Sequence, residues 1–138
     1  MTDYKNNDII SHKLRKGDFI NMKKLFSIRK EIEKIKKDIG LKGVSIKWVY
    51  NDRLSRVVAK VSYEDGIKHP TLTVGSKLLK QTDDIKRKVL KHEIAHIYDR
   101  NVNKRRSKHD KVFRDICENL YGDRTIGQAT TKGWKGWV

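Results

Sequence analysis

The sequence predicts an α+β fold: an N-terminal helix, a three-stranded antiparallel meander, then two further helices. Apolar residues recur at three- and four-residue steps before Gly40 and again after Thr82, which is helical spacing. Between those stretches the pattern shifts to alternation, the spacing of strands. Short turn signals separate the alternating segments, so strands adjacent in sequence are expected to pair.

Met22, Leu25, Ile28, Ile32, Ile35 and Ile39 mark the core face of the first helix, and Gly40 ends it. Residues 44–50 alternate and lead to Asn51-Asp52, a turn signal. Val57, Ala59, Val61 and Tyr63 then alternate with Val58, Lys60 and Ser62. Asp65-Gly66 offers a hairpin turn into a short strand at 70–74. Pro70 has no N–H to donate, so it belongs at that strand's start or on an edge. Thr82 is an N-cap, with Asp83 and Asp84 in a first turn whose dipole favours anions. That helix is expected to run to about Arg100. A basic loop, 100–106, leads to a last helix from about Lys108 to Tyr121. Ser107 and Asp110 form a capping pattern at its start, and Gly122 stops it.

At 138 residues and 16.2 kDa the chain suits one domain, with 36% hydrophobic and 36% charged residues. The expected division is a polar tail over 1–18, the folded domain over 19–122, and a Gly- and Trp-containing tail over 123–138. One cysteine, Cys117, excludes an intramolecular disulfide and a Cys-rich zinc ribbon. No apolar run is long enough to span a membrane, and the N-terminus carries no signal-peptide stretch. An intracellular monomer, in cytoplasm, nucleoid or nucleus, is the expectation.

Lys and Arg number 33 against 17 Asp and Glu, a net charge of +16. Such an excess favours a polyanionic partner, DNA or another nucleic acid first. Arg100, Lys104, Arg105, Arg106, Lys108 and Lys111 are the expected phosphate-binding residues. Trp134 and Trp137, interleaved with Lys132 and Lys135, suit either packing on the domain or stacking on unpaired bases.

His92-Glu93-Ile94-Ala95-His96 is an H-E-x-x-H motif within the second long helix. Residues four apart share a helical face, so both imidazoles reach one metal ion while Glu93 turns aside to serve as general base. Ile85, Val89, His92 and His96 form one inward stripe, and Leu90, Ile94 and Ile97 a second. The competing reading is a pair of core histidines satisfied by hydrogen bonds. A catalytic zinc needs a third protein ligand and an open position. Asp99, His109, Asp110 and Glu118 are the candidates downstream, and Asp99 with Val102 departs from the metzincin pattern. His109 is preferred because it heads the stripe His109, Phe113, Ile116, Leu120, whereas Glu118 lies on the other side of that helix.

The motif, the basic loop and the following His109-Asp110-Lys111-Val112-Phe113 resemble the SprT-like metalloproteases over about residues 20–122. The resemblance implies a zincin-like minimal fold and a zinc-dependent protease acting on DNA-attached proteins. It also implies zinc on His92, His96 and His109, with Glu93 activating water. Family members often append a zinc ribbon or DNA-binding module, and this chain has none, so substrate carries over less well than fold. Tyr98, Tyr121 or an arginine of the loop is expected to stabilise the oxyanion. Two other readings stay open: a basic nucleic-acid-binding domain with a structural or vestigial zinc, and a zinc peptidase with one dedicated protein target.

Overall fold

The structure is a computed structural model and describes residues 27–54 and 56–128. Helix α1, Ile28–Ile39, starts at the N-cap Ser27 and ends at Gly40, whose φ of 70° is the left-handed C-cap that glycine adopts without strain. Its buried face is Ile28, Ile32 and Ile35. Met22 and Leu25, expected to open the same stripe, lie outside the described residues, as does the polar tail.

Strands β1, Lys47–Tyr50, β2, Ala59–Ser62, and β3, Thr71–Val74, form one sheet in the order β1-β3-β2. The α+β class stands, but the sheet is mixed and is not an antiparallel meander. β2 and β3 are the expected hairpin, antiparallel with Ala59 opposite Val74, and Gly66 takes a φ of 101° in its turn. β1 instead pairs parallel with β3, Trp48 opposite Leu72. The cause is the connection leaving β1. Asn51 N–H donates to the Val74 carbonyl, and Gly75 N–H to the Val58 carbonyl, each at 2.9 Å, so Asn51 and Val58 both lie at the end of β3. Leu54 lies against Gly75 there, and a Cβ on Gly75 would meet the Leu54 Cβ at 3.0 Å. Leu72 and Val74 are fully buried and Thr73 nearly so, as suits a central strand covered on both faces. Pro70 sits just before β3, where its carbonyl accepts from Lys47 N–H.

A short helix α2, Ser76–Leu79, leads to α3, Asp83–Val102, whose Thr82 hydroxyl caps Ile85 N–H as expected. α3 runs through the centre of the domain, with Val89, Leu90, Ile94 and Ile97 at 0–1% exposure in the main core. The Arg87 Nε–Glu31 bond of 2.9 Å ties it to α1, and Asn101 Nδ2 ties it to the turn before β3 through the Ile67 carbonyl at 2.8 Å.

Helix α4, Lys111–Tyr121, begins later than the sequence suggests. Its N-cap is Asp110, which accepts from Phe113 N–H, so Ser107 and His109 both lie in the loop before it. Its buried face is Phe113 and Cys117, with Ile116 and Leu120 only partly covered. The chain then makes a 3₁₀ turn, Arg124–Gly127, which places Ile126 in a second core with Ala95, Phe113 and Cys117. The folded region therefore continues past Gly122. Trp134 and Trp137 lie outside the described residues. Among the described residues no helix is long and apolar enough to cross a membrane.

Candidate metal centre

The Nε2 atoms of His92, His96 and His109 converge. His92 and His96 lie 3.2 Å apart, and each lies 3.0 Å from His109. The first two come from one face of α3, as the four-residue spacing requires. The third comes from the loop ahead of α4, and it is the exposed member of the set.

The other ring nitrogens of His92 and His96 are already committed. His92 Nδ1 lies 2.6 Å from the Ile126 carbonyl, which only accepts, so Nδ1 carries the proton and Nε2 presents its lone pair inward. His96 Nδ1 lies 2.8 Å from the Ser107 hydroxyl, which can accept in the same way. Phe113 stacks on the His96 ring, centroids 4.0 Å apart, and meets His92 edge-on at 5.2 Å. Burial pulls His92 down to about 4 and His96 to about 2, and desolvation lowers His109 as well. All three are therefore neutral imidazoles at neutral pH, the form that binds metal.

Three uncharged ring nitrogens lie within 3.2 Å of one another, and those of His92 and His96 turn lone pairs inward, so the donor set fits a metal ion. Nitrogens about 2.0–2.1 Å from a tetrahedral ion lie about 3.3 Å apart, close to the separations here. Three protein ligands leave one position open, which is the catalytic arrangement. We expect His109→Ala to lower metal affinity by at least two orders of magnitude, read by competition with a chromophoric chelator. Undiminished affinity would place the third ligand elsewhere.

The other candidates for that ligand have different partners. Asp99, fully buried, takes both oxygens to Arg105 Nε at 2.9 and 3.0 Å. Asp110 caps α4 and receives Arg105 NH2 at 2.9 Å. Glu118 is exposed and pairs with Arg124 at 3.3 Å.

Glu93, the next residue along from His92, is 5% exposed, and burial pushes its carboxyl up to about 8. A carboxyl that holds a proton this firmly is poised for proton transfer near neutrality. The Tyr121 hydroxyl donates to the Lys91 carbonyl at 2.9 Å, so it holds α4 to α3 and is not free to stabilise an oxyanion.

The expected phosphate-binding residues divide. Lys104, Arg106 and Lys108 are exposed, with no ion pair among the described residues. Lys111 pairs with Asp115 at 3.1 Å, and Arg100 lies over the Tyr63 ring, 5.2 Å from its centroid. Arg105 is turned inward to Asp99 and Asp110. Sequence reasoning missed Ile126 as the partner of His92, and read Ser107 as a cap and Asp99 as a candidate ligand where the structure gives them to His96 and Arg105. A signal existed for Asp99, which lies three residues beyond His96 on a buried helix and so required a cationic partner.

A buried helix carrying H-E-x-x-H, with a third histidine brought in from a loop, defines a three-histidine site that fits a metal ion. The family model described as SprT-like matches residues 25–132, and the chain belongs to the SprT-like family. Among solved structures it is similar to the metallopeptidase zymogen of Pyrococcus abyssi abylysin. That likeness has a TM-score of 0.52 at 20% identity and covers 72% of this chain and 85% of the other. No curated protein matches the sequence.

Proposed function

We propose that this protein is a zinc-dependent endopeptidase. The observation that carries the proposal is a buried glutamate, Glu93, next in sequence to His92, whose Nε2 converges with those of His96 and His109. Zinc suits an all-imidazole set with an open position. When bound, such an ion supplies Lewis-acid chemistry, acidifying water and polarising a scissile carbonyl. Glu93 takes the proton from the attacking water and returns it to the leaving amine. His92 and His96 are held in register by the Ile126 carbonyl, Ser107 and Phe113. A purely structural site has no use for a buried glutamate, which weighs against the nucleic-acid-binding reading. Membership of the SprT-like family and the likeness in fold to a metallopeptidase zymogen support the same class.

For substrate we propose proteins held on DNA. The support is the charge of +16 together with three exposed cations, Lys104, Arg106 and Lys108, on the loop that delivers His109. A polyanion bound there would present an attached protein to the cleft. The deciding assay is cleavage of a DNA-bound protein, with and without DNA, before and after chelation. Chelator-resistant cleavage would remove the metal mechanism, and equal rates without DNA would remove the DNA reading alone.

Reversing Lys104, Arg106 and Lys108 to glutamate is expected to weaken DNA binding and lower its salt slope by about three, one for each lost phosphate contact. Folding should change little, because these side chains are exposed. Unchanged affinity and slope would move any DNA surface elsewhere.

A further inference from the structure

We infer that Arg105 is a positioning residue of the metal centre, acting through His109. The inference rests on the reading of His92, His96 and His109 as metal ligands. His92 and His96 are placed by α3 itself, but His109 is exposed and lies outside any helix. Neither burial nor helical geometry holds its ring, so the conformation of residues 103–110 decides whether the third nitrogen meets the other two.

Arg105 ties both ends of that loop to the body of the domain. Its Nε donates to the two oxygens of Asp99, at 3.0 and 2.9 Å, and Asp99 is fully buried on α3, three residues after His96. Its NH2 donates to Asp110 Oδ1 at 2.9 Å, and the same oxygen accepts Phe113 N–H at 2.9 Å. One guanidinium thus joins the helix that carries two histidines to the residue directly after the third. The backbone assists. Lys104 takes a φ of 56°, a left-handed conformation uncommon outside glycine, and turns the chain back so that Arg105 points inward. Asn103 Nδ2 donates to Asp99 Oδ1 at 2.9 Å, and Arg114 NH1 donates to the His109 carbonyl at 3.2 Å. The fork of donors matters. A lysine at 105 has a single ammonium and cannot span two carboxylates in this fixed geometry.

The test is zinc affinity, measured by chelator competition, for the wild type, Arg105→Gln, His109→Ala and the Arg105→Gln/His109→Ala pair. Arg105→Gln alone leaves Asp99 buried without its cation and risks unfolding. Asp99→Asn/Arg105→Gln, which removes both charges, is therefore carried through the same cycle, with thermal melting as the check on folding. Loss of the clamp is expected to lower affinity about 10- to 100-fold where His109 is present. It should have little further effect once His109 is alanine, and Arg105→Lys should rescue the loss only in part. Equal losses with and without His109 would overturn the inference, because Arg105 would then act through the fold at large. Wild-type affinity in both clamp variants would overturn it as well. A wild type that binds no zinc, or whose affinity survives His92→Ala, would instead overturn the metal-ligand reading and the clamp with it.

Discussion

Glu93→Gln is expected to lower peptide cleavage by about two to four orders of magnitude while leaving metal content and melting temperature nearly unchanged. The side chains are nearly isosteric, so the 5% exposed site on α3 can accept the amide without a cavity. The amide is uncharged, so it brings no charge that this buried site must solvate. An amide can still hold a water by hydrogen bonding, but it cannot take its proton. The three imidazoles proposed as metal ligands are untouched, so zinc content in the variant separates loss of chemistry from loss of metal. Cleavage within about tenfold of wild type would withdraw Glu93 as general base.

Ending the chain at Gly122 should cost both stability and metal, in contrast to a chain ending at Gln128. Residues 123–128 carry Ile126, which is 3% exposed and packs with Ala95, Phe113 and Cys117. Removing a buried side chain of that size costs about 2–5 kcal/mol. The Ile126 carbonyl also fixes the tautomer of His92 across 2.6 Å, and loss of such an acceptor lowers metal affinity about 10- to 100-fold. The segment is held in several ways. Asp123 caps the turn, Arg124 pairs with Asp115 and Glu118, and Gly127 packs so closely on α4 that a Cβ would lie 2.9 Å from Arg114 Cα. Thermal melting and zinc competition on the two truncated chains would check this. Equal melting temperatures and equal affinities would show that the turn is dispensable.

Local geometry made much of the site readable from the amino acids. Four-residue spacing on a helix places His92 and His96 together whatever surrounds them, and the buried stripes through Val89, Leu90, Ile94 and Ile97 follow from the same period. Thr82 and Gly40 act over a few residues, so their capping roles were equally legible. The sequence favours His109 as the third ligand, but for a reason the structure alters. It was expected in the first turn of a helix, on the core-facing stripe, and it lies in the loop before α4. Ser107 and Asp110 are both good caps, and sequence alone does not rank them. Asp110 prevails because Arg105 already holds its carboxylate beside Phe113 N–H, which releases Ser107 to His96.

By itself, then, the sequence determined the α+β class, the helix bearing His92, Glu93 and His96, and the presence of a histidine able to complete the set. Tertiary structure alone decided that β1 lies parallel to β3, because Asn51 and Val58 are both bonded at the end of β3 and β3 enters the sheet between β1 and β2. It also decided that Arg105 pairs with buried Asp99, and that Ile126, 34 residues from His92, orients the His92 ring. These contacts join residues whose spacing follows no helical or strand period. Which partner a buried carboxylate or imidazole finds depends on where the chain returns, and only packing sets that.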